Sequence, residues 1–151
     1  GVGGGTFANG TTLAYTVDTV VPDTPTITAP GLINSSLPII NGTLGGATAL
    51  NTTPNFSETL AITINGSTMT GTAASSWLTI TGAGDWSVNL ADAGATIPFL
   101  ADGTYDIKVK ITDQAGNNQS TTAASALTVD TTAPTFQNTP TRGAMLTNRA
   151  R

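Results

Sequence analysis

Residues Thr104–Thr112 constrain the fold of this chain more than any other stretch. Tyr105, Ile107, Val109 and Ile111 alternate strictly with Asp106, Lys108 and Lys110. A period of two places the two sets on opposite faces of an extended strand, one apolar and one wet. Such a strand needs a second layer to cover its apolar face. Helix signals are nearly absent. Thr (31 residues), Gly (17) and Asn (11) dominate the 151 residues, and all three are poor helix formers. Only Leu90–Leu100, through Ala91-Asp92-Ala93-Gly94-Ala95, offers a single weak helical turn.

Further short alternating runs lie between turn residues. Strands are expected at residues 24–29, 37–43, 58–64, 67–72, 85–90, 104–112 and 120–129, with 76–80 as an extra one. The first carries Pro25 and is expected at a sheet edge, because proline cannot donate to a ladder. Asn65-Gly66 signals a tight hairpin, since a type I′ turn needs positive φ at both central positions. The expected fold is all-β, an immunoglobulin-like antiparallel β-sandwich of seven to eight strands.

Composition excludes several chemistries. With no Cys and no His, the chain can form no disulfide, no His/Cys zinc site, no haem or iron–sulfur ligation by those residues and no Ser-His-Asp or Cys-His nucleophile. The net charge is −4, with all nine acids and only two of the five bases in residues 1–134. An acidic body repels nucleic acid and anionic membranes, and no stretch is long and apolar enough for a membrane span, so neither partner is expected. Arg142, Arg149 and Arg151 make the C-terminal tail basic, which reads as a solvated terminus or a contact for an acidic neighbour. No charged n-region followed by an apolar h-region opens the chain, so no signal peptide is expected in it. Export to the cell exterior is still expected from the Lys-poor, Thr/Gly/Asn-rich composition. Acidic oxygens without His or Cys suit hard cations, calcium above all.

An internal repeat organises the chain. Val17-Asp18-Thr19-Val20-Val21-Pro22 recurs 112 residues later as Val129-Asp130-Thr131-Thr132-Ala133-Pro134. Residues 1–18 therefore read as the last strand of a preceding repeat or a strand donated to a neighbouring subunit. Residues 19–134 read as one module, and residues 135–151 as a tail or the start of a following repeat.

Four motifs then occur in order: Gly84-Asp85-Trp86-Ser87-Val88, Leu100-Ala101-Asp102-Gly103-Thr104-Tyr105, Thr112-Asp113-Gln114-Ala115-Gly116-Asn117 and Val129-Asp130-Thr131-Thr132-Ala133-Pro134. Over roughly residues 17–134 this pattern resembles the bacterial Ig-like repeats of giant surface adhesins and biofilm-associated proteins. Ala73–Ile80 reads as an insertion relative to that pattern. The resemblance implies modules stacked into stalks on the bacterial cell surface, with structural calcium stiffening the junctions. It implies neighbouring repeats as partners, and a host or abiotic surface bound through other parts of the parent protein.

Candidate metal ligands follow from strand parity. Loops alternate between two poles of a sandwich, so Asp113 and Asn117 are expected beside Asp18 and Asp23 where the chain enters. Asp102 is expected beside Asp130 where it leaves. Each group could supply calcium with oxygens. The same residues are also ordinary turn formers, whose side chains bond nearby backbone N–H groups.

Other constellations point to less. Glu58 reads as a solvated strand residue. Asp102 and Asp106 could be imagined as a glycosidase pair, but both read as turn or outer-face groups, so no enzyme is expected. Trp77 and Trp86 suit the core or, alternatively, sugar stacking in a carbohydrate-binding module. Tyr105 reads as a core or corner tyrosine. Gly3-Gly4-Gly5 has no phosphate-loop context, and the seven Asn-x-Ser/Thr sequons reflect composition. The expected function is a non-catalytic stalk or spacer module serving cell adhesion and biofilm. The alternative is a self-assembling, pilus-like filament subunit that uses residues 1–18 as donor strand, with Leu13, Tyr15 and Val17 on one face.

Overall fold

The computed structural model describes residues 13–54 and 57–136. Nine strands are present among them: β1 (Thr26–Thr28), β2 (Gly31–Ile33), β3 (Ile39–Thr43), β4 (Glu58–Ile64), β5 (Ser67–Gly71), β6 (Leu78–Ile80), β7 (Asp85–Asn89), β8 (Gly103–Asp113) and β9 (Asn118–Val129). One sheet has the order β1-β3-β7-β6 and the other β2-β9-β8-β4-β5. This is the sandwich expected from the sequence. It has one strand more than expected, and one pair, β2 with β9, runs parallel. The extra strand arises where Pro30 and Gly31 (φ +73°) turn the chain out of the first sheet and onto the edge of the second. Helix is absent among the described residues. Leu90–Leu100 instead folds into turns, because Asn89 and Asp92 each accept the N–H two residues on, which competes with a helical ladder.

Period two explains the core. Ile107, Val109 and Ile111 of β8 and Leu60, Ile62 and Ile64 of β4 are buried, and they pair across the two strands as Ile107–Ile64, Val109–Ile62 and Ile111–Leu60. Ile40, Trp86 and Val88 belong to the same core from the opposite sheet. Each such side chain contributes about 1.5–3 kcal/mol when fully buried. The β4–β5 hairpin turns at Asn65 (φ 52°) and Gly66 (φ 76°), the two positive angles a type I′ turn requires.

Trp86 locks its strand to the neighbouring β3 within one sheet. Its indole N–H donates to the Thr43 carbonyl at 3.0 Å, and its ring lies so close to Gly42 that a Cβ there would sit 2.4 Å from the ring. Trp77 is buried as well, its ring against Gly71. Neither indole face is open for sugar stacking, so the carbohydrate-binding reading loses both of its residues. Apolar area won by burying a large ring outweighs an exposed role here, and the polar N–H of Trp86 finds its partner inside.

Candidate functional site

The two poles carry the polar constellations. At the N-terminal pole the β8–β9 turn, Asp113–Asn117, closes with Asp113 N–H donating to the Asn117 carbonyl at 2.9 Å and Gly116 N–H to the Asp113 carbonyl at 3.2 Å. Asp113 is the one charged side chain buried among the described residues, at 8% exposure. Its two carboxylate oxygens accept from the Asn117 backbone N–H and from Asn117 Nδ2, each at 2.9 Å. Burial raises the pKa of this carboxyl, but the Asn117 side chain and the backbone N–H groups of Asn117, Ala115 and Gly116 outweigh it. The result lies below the ordinary carboxylate value of 3.8.

Asn117 Nδ2 also donates to the backbone carbonyl of Asp18 at 2.9 Å. Two acceptor oxygens therefore fix which end of the amide is which, and Asn117 offers hydrogens rather than an oxygen to the incoming chain. Asp18 turns its carboxylate onto the Val20 N–H at 3.0 Å. Glu58 lies directly opposite Asp113 in the β4–β8 register, and its carboxylate accepts the Asn51 N–H at 2.8 Å. Asp18, Glu58 and Asp113 thus line one surface hollow, yet each carboxylate faces a different donor. Asp23 goes elsewhere, against Gly45 and Gly46.

At the C-terminal pole the geometry inverts. Asp102, in the turn before β8, accepts the Thr131 N–H at 2.9 Å and the Thr131 hydroxyl at 2.7 Å on one oxygen, and the Thr132 hydroxyl at 2.6 Å on the other. The Thr132 hydroxyl first, then the Thr131 hydroxyl and N–H, hold this carboxyl below its ordinary value. Asp130 caps the Thr132 N–H at 3.1 Å. This repeats the Asp18–Val20 turn at the equivalent position of the other linker. Tyr105 anchors the same corner, its hydroxyl donating to the Ala101 carbonyl at 2.7 Å.

A calcium ion takes six to eight oxygens converging on one point. The residues as arranged do not form that shell. Among the described residues no three acidic side chains are grouped to hold a metal ion, and those near each other are engaged by N–H and O–H donors of the protein. Asp106 is likewise structural: it accepts the N–H of Ser125 at 2.7 Å, the residue of positive φ (50°) where β9 bulges opposite Tyr105–Ile107. Sequence reasoning missed Thr131, Thr132, Asn51 and Glu58 as partners. The pair of hydroxyls directly after Asp130 was the available signal.

The family model for the bacterial Ig-like domain matches residues 46–131, more than half of the chain. The chain belongs to the bacterial Ig-like domain family. The match begins after β3, but β1, β2 and β3 complete the sheets of this bacterial Ig-like domain through ladders to β3, β9 and β7. No match to the domain is found among curated proteins. The basic tail at Arg142, Arg149 and Arg151, and the first part of the expected donor strand, lie outside the described residues.

Proposed function

We propose that this bacterial Ig-like domain is a non-catalytic spacer in a repetitive surface adhesin, exposed outside the bacterial cell and serving adhesion and biofilm. Its partners are neighbouring modules of the same kind. A host or abiotic surface is met by other parts of the parent protein. One observation supports this reading above the rest: the two linker copies, 112 residues apart in sequence, adopt the same Asp-capped turn and sit at opposite poles. A unit that ends as it begins is a unit made to be followed by another. The parent gene tests it. Flanking Ig-like modules joined by the same Val-Asp-Thr…Pro linker are expected, and a parent with no second module overturns the proposal.

Hydrogen bonds, not calcium, hold the linkers in this proposal. The thermal unfolding midpoint is therefore expected to be the same in calcium, magnesium and chelator. A calcium-specific rise would mean a site that binds the native chain.

The filament reading draws on a different observation. Leu13, Tyr15 and Val17 are exposed and lie outside both sheets, as donor side chains would before assembly. Against it, the nine strands among the described residues already bury the core. Concentration-dependent polymers that vanish on deleting residues 1–18 would favour the filament, and a monomer at high concentration removes it.

A further inference from the structure

The two linker copies are gripped at different atoms. In the incoming copy Asn117 takes the carbonyl oxygen of Asp18. In the outgoing copy Asp102 takes the N–H of Thr131. Asp18 and Asp130 are equivalent positions of the repeat, and each caps the N–H two residues on, at 3.0 and 3.1 Å. Superposed, the two grips fall on one peptide group: the carbonyl of the aspartate and the N–H of the threonine that follows it. A trans peptide is planar and rigid, and its C=O and N–H point in opposite directions.

We propose that the joint between this module and a following copy is the single Asp130–Thr131 peptide group. Its N–H is held by Asp102 of the module the chain leaves. Its C=O is held by the amide of the residue equivalent to Asn117 in the module the chain enters. The proposal rests on the spacer reading and deepens it. The partner it fits is a module whose β8–β9 turn presents a carboxylate-held asparagine, as Asp113 holds Asn117 here. With both grips on one planar group, the linker has no slack between them. A change of intermodule angle must break one grip or the other. The groups that meet the peptide are a neutral amide on one side and, on the other, a carboxylate already hydrogen-bonded by Thr131 and Thr132.

A two-module chain, residues 1–134 followed by residues 23–151, keeps one whole linker between two sandwiches. NMR relaxation in chelator reads whether the two tumble as one body. One shared rotational tensor is expected. Asn117→Ala in the second copy, or Asp102→Ala in the first, should release the two into separate tumbling while chemical shifts away from the poles stay unchanged. Should Asn117→Ala unfold the second copy, Asp102→Ala on its exposed turn tests the other grip alone. Separate tumbling of the unaltered chain in chelator, restored to one body by calcium, overturns the peptide joint and leaves the spacer reading standing. Separate tumbling with and without calcium overturns both. Rigidity that survives the substitutions overturns the roles given to Asn117 and Asp102.

Discussion

The two poles solve one problem with opposite chemistry. At the N-terminal pole a neutral amide, Asn117, donates to the incoming chain and is itself aimed by the buried carboxylate of Asp113. At the C-terminal pole a solvent-exposed carboxylate, Asp102, accepts from the outgoing chain directly. The first grip is a relay of two side chains, so it depends on packing. The second is one charge with three donors, so it depends on ionisation. A buried relay is costly to damage, whereas an exposed charge in water is worth less; each contains a carboxylate and so each responds to pH.

The sharpest way to break the comparison is Asn117→Asp. It replaces a donor by a carboxylate facing the Asp113 carboxylate and the Asp18 carbonyl, and the unfolding midpoint should fall by roughly 10 °C. Asn117→Ala removes the donor without adding charge. It should cost roughly 5 °C and speed amide exchange in the β8–β9 turn.

Acid should distinguish the poles next. Asp102 and Asp113 both have folded pKa values below the ordinary 3.8. Near that value the unfolded chain therefore binds more protons than the folded one, so their contribution is complete above 3.8 and is lost as pH falls through the lowered folded values. Asp102→Asn should leave the midpoint only slightly lower at neutral pH and make its decline below pH 4 shallower, with the remaining decline shared by Asp113 and by Asp92, whose carboxyl the Ser76 hydroxyl and the Gly94 N–H also hold below its ordinary value. An acid limb as steep as in the parent chain would show that the Asp102 grip is not ionisation-dependent.

The smallest effect is expected from Thr132→Val, which copies Val20 of the other linker. One hydroxyl donor to an exposed carboxylate disappears, and stability in chemical denaturation should fall by less than in any variant above, while both Thr131 bonds persist. A loss as large as that of Asn117→Ala would mean that Thr132, rather than Thr131, carries the clamp.

The sandwich was legible because its signals are local. Alternation over Tyr105–Ile111 and the Asn65-Gly66 turn each state their outcome within a few residues. What escaped was non-local. The strand Gly31–Ile33 has only three residues and no alternation, and it exists because β9 offers a free edge for it to follow in parallel. Loop parity correctly brings Asp102 toward the outgoing linker and Asp113 toward the incoming one. Parity did not place Asp23, because the local path after Pro22 carries that side chain to Gly45 and Gly46. Nor could spacing reveal what Asn117 presents. An amide has a donor end and an acceptor end, and only the finished arrangement of neighbouring oxygens selects between them.

The short parallel pairing of β2 with β9 bears on what happens when the two ends are pulled apart. The chain enters the second sheet at Gly31–Ile33 and leaves it along Leu127–Val129, the same way round. Tension applied through the two linkers would draw these strands past one another lengthwise. Their cross-strand bonds, together with the Asp130 N–H bond to the Ile33 carbonyl at 2.9 Å, would be strained side by side rather than one after another. A ladder strained in shear must yield as a set, whereas a hairpin peeled from its end yields bond by bond. The three residues that sequence reading passed over would thus bear traction in shear, behind β1 and its ladder to β3.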